Sequence, residues 1–188
     1  MHTITRVSRD ITSQPPVPPD EHIRYGHQAS QFFDVFRSKK QRGWAVMIHG
    51  GYWRARYDLQ HASHLCAALA SHGITTVSLE YRRVGERGGG WTGTFDDVKA
   101  AFDAARRSFR EQPVVLGHSA GGHLALLLAT VSTAMKGVVA LAPIADLQMA
   151  EGVEMGAELL GAGDLLGDPV DAVCAHAAAS RHSERASL

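Results

Sequence analysis

The sequence lacks the features that mark specialised classes of protein. It has only two cysteines among 188 residues, Cys66 and Cys174, and both fall in alanine-rich segments of helical character. We therefore expect buried small side chains and not a disulfide framework. Neither sign of charge is in excess, because Lys+Arg and Asp+Glu number 19 each. This balance gives no reason to expect nucleic acid or an anionic membrane surface as a partner.

Long hydrophobic runs are missing as well. The longest unbroken one, Leu124 to Ala129, is far shorter than a helix that spans a bilayer. The N-terminal stretch has no apolar core of a secretory signal, so we expect a cytoplasmic protein. The composition that remains, 45% hydrophobic and 20% charged residues, suits one globular domain with a sizeable core.

Strand-like and helix-like patterns alternate after a polar beginning. Residues 1–24 contain four prolines between positions 15 and 20 and predict an extended arm, because proline excludes helix and central strand. The sequence predicts strands at 31–38, 44–51, 74–81, 113–117 and 137–143, and helices at 58–73, 94–105 and 120–131. Gly73 is expected to end the first helix, and Thr94 with Asp97 resembles a capping box for the second. The alternation predicts an α/β fold, a mostly parallel sheet with helices on both faces.

Residues 117–122 read GHSAGG and contain a G-x-S-x-G pattern. The pattern follows a predicted strand and opens a predicted helix, which is the context of a nucleophile elbow. Gly117 and Gly121 suit so sharp a turn, since a side chain at either position would collide with a neighbouring strand or helix. The turn would expose Ser119 Oγ at the carboxyl edge of the sheet, beside the positive end of the helix dipole. We therefore predict that Ser119 is a catalytic nucleophile.

A second turn, HGGYW, follows the predicted strand at 44–48. Esterases and lipases carry an H-G-G-G-type turn at this point, whose backbone N–H groups bind an oxyanion. The donors predicted by position are the N–H groups of Gly51, Tyr52 and Ala120. His49 and Gly50 are expected to support the shape of the turn, and His49 is expected to stabilise it rather than to act as a base.

Together these motifs resemble the α/β-hydrolase fold, and more narrowly its arylformamidase (kynurenine formamidase-like) and carboxylesterase branch. The segments that carry the resemblance are YGHQASQFFDVF, VMIHGGYW, VSLEYRR, DDVKAAFD and VVLGHSAGGHLALLLA. The resemblance implies a hydrolase domain over residues 25–180. It also implies that a small ester or amide passes its acyl group to Ser119 and then to water, with no metal or organic cofactor.

The resemblance becomes incomplete after the serine. In this fold an acid and then a histidine follow the nucleophile along the chain. Asp146 is the candidate acid, although a loop or capping role also suits it. His176 and His182 are the histidines late enough to be the base, although a helix-surface and a tail position also suit them. The chain ends in a predicted irregular tail over residues 181–188, so the hydrolase domain is expected to be incomplete, as in a truncated or frameshifted product.

Two hypotheses about function follow. The chain is a serine hydrolase of carboxylic esters or arylformamides, or it is a catalytically impaired or truncated α/β-hydrolase-like protein that lacks the acid and the histidine. In either case missing strands would leave a long sheet edge exposed, which favours self-association. Trp53 and Trp91 would either line an aromatic pocket or anchor loops, and Arg82 and Arg83 are expected at the surface or as loop-stabilising residues. The acidic residues after position 150 lack metal-ligand spacing.

Overall fold

A computed structural model describes residues 14–144. Its strands are β1 (Glu21–Arg24), β2 (Phe32–Phe36), β3 (Gly43–Ile48), β4 (Ile74–Leu79), β5 (Val114–His118) and β6 (Gly137–Leu141). Its α-helices are α1 (Ser63–Ser71), α2 (Gly93–Arg106) and α3 (Ala120–Val131), and a 3₁₀ turn over Leu59–Ala62 leads into α1. None of the helices in this part of the chain is long and apolar enough to cross a membrane.

The strands form one sheet in the order β1-β2-β4-β3-β5-β6. The four strands β4, β3, β5 and β6 run parallel, and β1 and β2 add an antiparallel pair at the β4 side. The chain leaves β3 toward β4 and then returns to β5 on the other side of β3. Such a reversal opens a crevice at the carboxyl ends of the central strands, where α/β proteins bind ligands.

Side chains that alternate along the strands divide the core into two layers. In β3, Val46 and Ile48 pack with residues of α2 and α3, whereas Met47 packs with residues of α1 on the opposite face. The predicted α/β class with helices on both faces is therefore confirmed. Cys66 lies fully buried in the α1 layer, as expected, and burial raises the pKa of its thiol to about 12. Cys174 lies outside the described residues.

Two local details differ from the sequence-based expectation. Strand β1 forms within the stretch interpreted as an extended arm, and it pairs with β2 through Glu21 and Val35. The capping box is wrong, because Thr94 donates its hydroxyl proton to the Arg82 carbonyl at 2.6 Å and Asp97 receives the Arg82 guanidinium. Contacts with the loop after β4 therefore outweigh the local capping pattern.

Candidate active site

Ser119 lies on a sharp turn between β5 and α3. Its backbone has φ 54° and ψ −117°, a conformation that is costly for a residue with a side chain. A Cβ atom on Gly117 would lie 2.2 Å from the Gly121 carbonyl oxygen, and one on Gly121 would lie 2.1 Å from the Ile48 carbonyl oxygen. Both contacts are with backbone, so the turn requires glycine at these two positions.

Hydrogen bonds from two further elements fix the backbone of Ser119. Its N–H donates to the Leu141 carbonyl at the end of β6 at 2.9 Å, and its own carbonyl accepts from the N–H groups of His123 and Ile144 at 3.2 and 3.3 Å. Within residues 14–144, no group hydrogen bonds to Ser119 Oγ. The backbone is held while the hydroxyl is left available.

The glycine-rich turn after β3 lies directly against the serine turn. A Cβ atom on Gly50 would lie 2.7 Å from the His118 carbonyl oxygen and 3.1 Å from Ser119 Cβ. The next two residues both have positive φ, 116° at Gly51 and 55° at Tyr52. The sequence thus forces the two turns into contact at the carboxyl ends of β3 and β5.

A cleft of about 520 Å³ opens at this edge. Ser119, Gly51 and Tyr52 line it, so three of the predicted site residues share one cavity. Most of the remaining wall is polar or aromatic, and its ring-bearing side chains are those of Tyr57, His61, His64 and His118. Burial and the neighbouring His49 and His118 lower the pKa of His61, so its ring stays neutral at neutral pH.

Ala120 contributes through the backbone of α3. It is buried and begins the helix directly after Ser119. Its N–H belongs to the first turn, where a helix leaves its donors without intrahelical partners and presents the positive end of its dipole. The arrangement can therefore stabilise negative charge that develops beside the serine.

Sequence reasoning missed Glu80, which is the most extensively bonded buried carboxylate of the site. It follows β4, is 1% exposed, and accepts from His49 Nε2 and the Leu59 N–H, both at 3.0 Å. The Tyr81 N–H also donates to it at 3.1 Å, and Arg83 Nη1 lies 3.3 Å away. Burial alone would raise its pKa, but His49, Arg83 and the Leu59 N–H lower the pKa below the usual value.

Trp53 and Trp91, the tryptophans considered for an aromatic pocket, anchor structure and do not line the cleft at Ser119. Trp53 is fully buried and meets the ring of His123 edge to face, with the ring centroids 5.4 Å apart. Burial lowers the pKa of His123 to about 4, so that side chain is a neutral core residue. Trp91 stacks on Phe95 at 5.8 Å.

The two arginines after β4 stabilise loops, as expected. Arg82 binds Asp97 through Nε and Nη2, each at 2.7 Å, and only a small part of its side chain is exposed. Arg83 is buried and binds Glu86 at 3.0 Å. They join the end of β4 to α2 and to the loop before it.

The candidate acid and bases, Asp146, His176 and His182, lie outside the described residues. From Ala120 to Ile144 the chain contains no carboxylate, and its one histidine is the buried His123. In the described range no group of three or more His, Cys, Asp or Glu side chains is arranged to hold a metal ion.

A parallel sheet with a strained serine turn and a glycine-rich turn at its switch point defines the α/β-hydrolase class. The comparison with protein families agrees: the family described as "Alpha/beta hydrolase family" matches residues 45–185. The chain belongs to this family.

Similar proteins include hydrolases of several kinds. A kynurenine formamidase of Drosophila melanogaster is 27% identical over 127 residues, which are 62% of this chain and 39% of that protein. A candidate thioesterase from Silicibacter sp. TM1040 is 27% identical with a TM-score of 0.66, over 82% of this chain and 58% of that one. Esterase B from Lactobacillus rhamnosis HN001 is 22% identical with a TM-score of 0.62, and the likeness covers 87% of this chain and 62% of that one. At this identity esterase B shares the fold, and the chain spans less than two thirds of the length of each of these relatives.

Proposed function

We propose that the chain carries the nucleophile and oxyanion part of a serine hydrolase site that acts on small carboxylic esters or arylformamides. The observation that carries this proposal is the strained Ser119 backbone, held with its hydroxyl at a cleft that Gly51 and Tyr52 also line. Strain of this kind persists only where surrounding structure imposes it, and it concentrates at functional sites.

In the proposed reaction Ser119 Oγ attacks the substrate carbonyl carbon and its proton passes to a base. The carbonyl oxygen becomes negative and accepts hydrogen bonds from the N–H groups of Gly51, Tyr52 and Ala120. The leaving group departs with a proton, and water then releases the acyl group from the serine. Loss of one oxyanion donor typically lowers the rate by about 10²–10³.

The proposed substrate class rests on the cleft and on the relatives. Rings from two tyrosines and three histidines line the cleft, and flat side chains favour an aromatic acyl or leaving group. The similarity to a kynurenine formamidase of Drosophila melanogaster supports an arylformamide among the candidate substrates.

The decisive experiment is covalent labelling of the full chain with a fluorophosphonate probe. We expect the wild type to be labelled at Ser119 and to hydrolyse a p-nitrophenyl ester or an N-formyl aryl amine, and we expect Ser119→Ala to abolish both. If Ser119→Ala changes neither labelling nor hydrolysis, this chain is not a serine hydrolase.

A catalytically impaired α/β-hydrolase-like protein is the second candidate. The observation that favours it is the lack of any carboxylate between Ala120 and Ile144, together with the burial of His123. Loss of the histidine base alone lowers kcat by about 10⁶ in a serine protease, so the two candidates differ widely in rate. The variants His176→Ala and His182→Ala test which histidine is the base. If the chain is an active serine hydrolase, we expect one of them to lower the labelling rate as far as Ser119→Ala does.

A further inference from the structure

The ring of His49 lies beneath the glycine-rich turn, and both of its nitrogens face acceptors. Nδ1 lies 2.7 Å from the Gly50 carbonyl oxygen, and Nε2 lies 3.0 Å from Glu80 Oε1. Both side chains are buried, with 0% and 2% of their surfaces exposed. No solvent is therefore at hand to replace either hydrogen bond.

These contacts determine which ring nitrogens of His49 act as hydrogen-bond donors. A neutral imidazole has one donor and one acceptor nitrogen, whereas the imidazolium has two donors. The Gly50 carbonyl can only accept, so His49 Nδ1 carries a proton. An ionised Glu80 can likewise only accept, and it already accepts from the backbone N–H groups of Leu59 and Tyr81, so it accepts from Nε2 as well. With Glu80 ionised, both nitrogens of the His49 ring are therefore in donor positions.

The charged groups around the pair favour this state. Glu80 also faces Arg83 at 3.3 Å, and its carboxyl pKa is lowered, as described above. Tyr81 stacks on the His49 ring with centroids 4.5 Å apart, and its hydroxyl donates to the His49 carbonyl at 2.8 Å. His61 meets the same ring edge to face at 5.6 Å, and burial keeps it neutral.

The Gly50 carbonyl shares a peptide unit with the N–H of Gly51. This peptide is trans, so the two groups point in opposite directions from one plane. Because the carbonyl points at the buried His49 ring, the N–H points away from that ring, and Gly51 itself lines the cleft. A charged donor at the carbonyl also polarises the peptide and strengthens the N–H as a donor.

We propose that Glu80 is a positioning residue: through the His49 ring it fixes the peptide whose N–H belongs to Gly51 and faces the cleft. The consequence for catalysis rests on the function proposed above, because it assumes that this N–H binds the oxyanion. The protonation state of the His49 ring does not rest on it, so the two are tested separately.

The first test is nitrogen NMR of the full chain with ¹⁵N-labelled histidine at neutral pH, with the His49 signals assigned by their loss in His49→Asn. We expect both ring nitrogens of His49 to be protonated and protected from exchange. In Glu80→Gln the introduced amide can donate to Nε2, so we expect that nitrogen to lose its proton while Nδ1 keeps its own. An unprotonated ring nitrogen in the wild type would overturn the proposal.

The second test compares two substitutions of His49, His49→Asn and His49→Gln. The amide nitrogen in His49→Asn is attached to Cγ, as Nδ1 is, and so keeps a donor near the Gly50 carbonyl. In His49→Gln the amide nitrogen lies one bond further out, toward Glu80, and leaves that carbonyl without a donor.

We expect His49→Asn to slow phosphonate labelling of Ser119 by no more than about tenfold, the effect of one weakened hydrogen bond. His49→Gln is expected to slow it by about 10²–10³, as for loss of an oxyanion donor. Equal labelling rates in two variants of equal thermal stability would contradict the positioning role. If the wild type itself is not labelled, the proposed function fails, and the NMR measurement alone decides the role of Glu80.

Discussion

Strands β3 and β6 both reach the serine turn, but they differ in burial. Every residue of β3 after Gly43 is buried, whereas β6 leaves Val139 43% and Leu141 39% exposed. On the β3 side, the carbonyl oxygens of Ile48 and His49 lie so close to Gly121 that no Cβ atom fits there. On the β6 side, the Leu141 carbonyl holds the serine through one hydrogen bond. The strained geometry is therefore imposed from the interior, and the outer strand only adds to it.

Replacing one glycine on the β3 side and one on the β6 side by alanine should give the largest difference in the free energy of unfolding. A Cβ atom on Gly121 would lie 2.1 and 2.3 Å from the carbonyl oxygens of Ile48 and His49, so α3 or β3 must shift. We expect Gly121→Ala to lower the free energy of unfolding by about 3 kcal/mol, the range of severe overpacking. Urea denaturation followed by circular dichroism measures this loss.

Gly137, at the start of β6, is the matched control. A Cβ atom there would meet nothing within 4 Å. We expect Gly137→Ala to change the free energy of unfolding by less than about 0.5 kcal/mol, in either direction. Similar losses of unfolding free energy in Gly121→Ala and Gly137→Ala would show that the β3 side does not dominate the geometry of the serine turn.

The buried residues around the serine turn, among them His123 of α3, should also determine how the free energy of unfolding depends on pH. His123 has a pKa of about 4 in the folded protein, against an ordinary value of 6.5. The unfolded chain therefore takes up a proton as pH falls below 6.5, while the folded protein does not do so until about pH 4. The His123 contribution is complete above pH 6.5 and is lost as pH falls toward 4, by about 3 kcal/mol in the free energy of unfolding.

His123→Leu removes this titration and keeps an apolar side chain in α3. The variant is expected to be less stable at neutral pH, because a ring that packs on Trp53 is lost. Its stability should nevertheless fall less steeply than that of the wild type between pH 6.5 and 4. Stability curves that run parallel across this window would contradict the lowered pKa of His123. Strand β6 carries no ionisable side chain, so this dependence does not come from it.

The positions of the two turns could be predicted from sequence because their causes are local. A glycine two residues on each side of Ser119, a strand before and a helix after are all readable within residues 113–131. The sequence likewise indicated that His49 supports its turn. The structure shows the contacts of its ring with the Gly50 carbonyl oxygen and with Glu80, and the supporting role stays a prediction.

Glu80 could not be predicted, because its partners come from distant parts of the chain. His49 is 31 residues away and Leu59 is 21 residues away. A glutamate at the end of a strand is usually solvated, and only the assembled sheet shows that this one is buried. The capping pattern of Thr94 and Asp97 misled for the same reason, since Arg82 reaches both of them from the loop after β4.

The exposed edge of β6 should affect self-association of the protein more than its free energy of unfolding. Within the described residues β6 pairs on one side only, with β5, and an edge strand with exposed apolar side chains invites pairing with another chain. We expect Val139→Lys to weaken concentration-dependent self-association in sedimentation velocity and to change the free energy of unfolding by less than about 0.5 kcal/mol. Leu126→Lys is the control, because Leu126 is 39% exposed on α3 and lies off the sheet edge. If both substitutions weaken association equally, general surface hydrophobicity drives it and the edge of β6 does not.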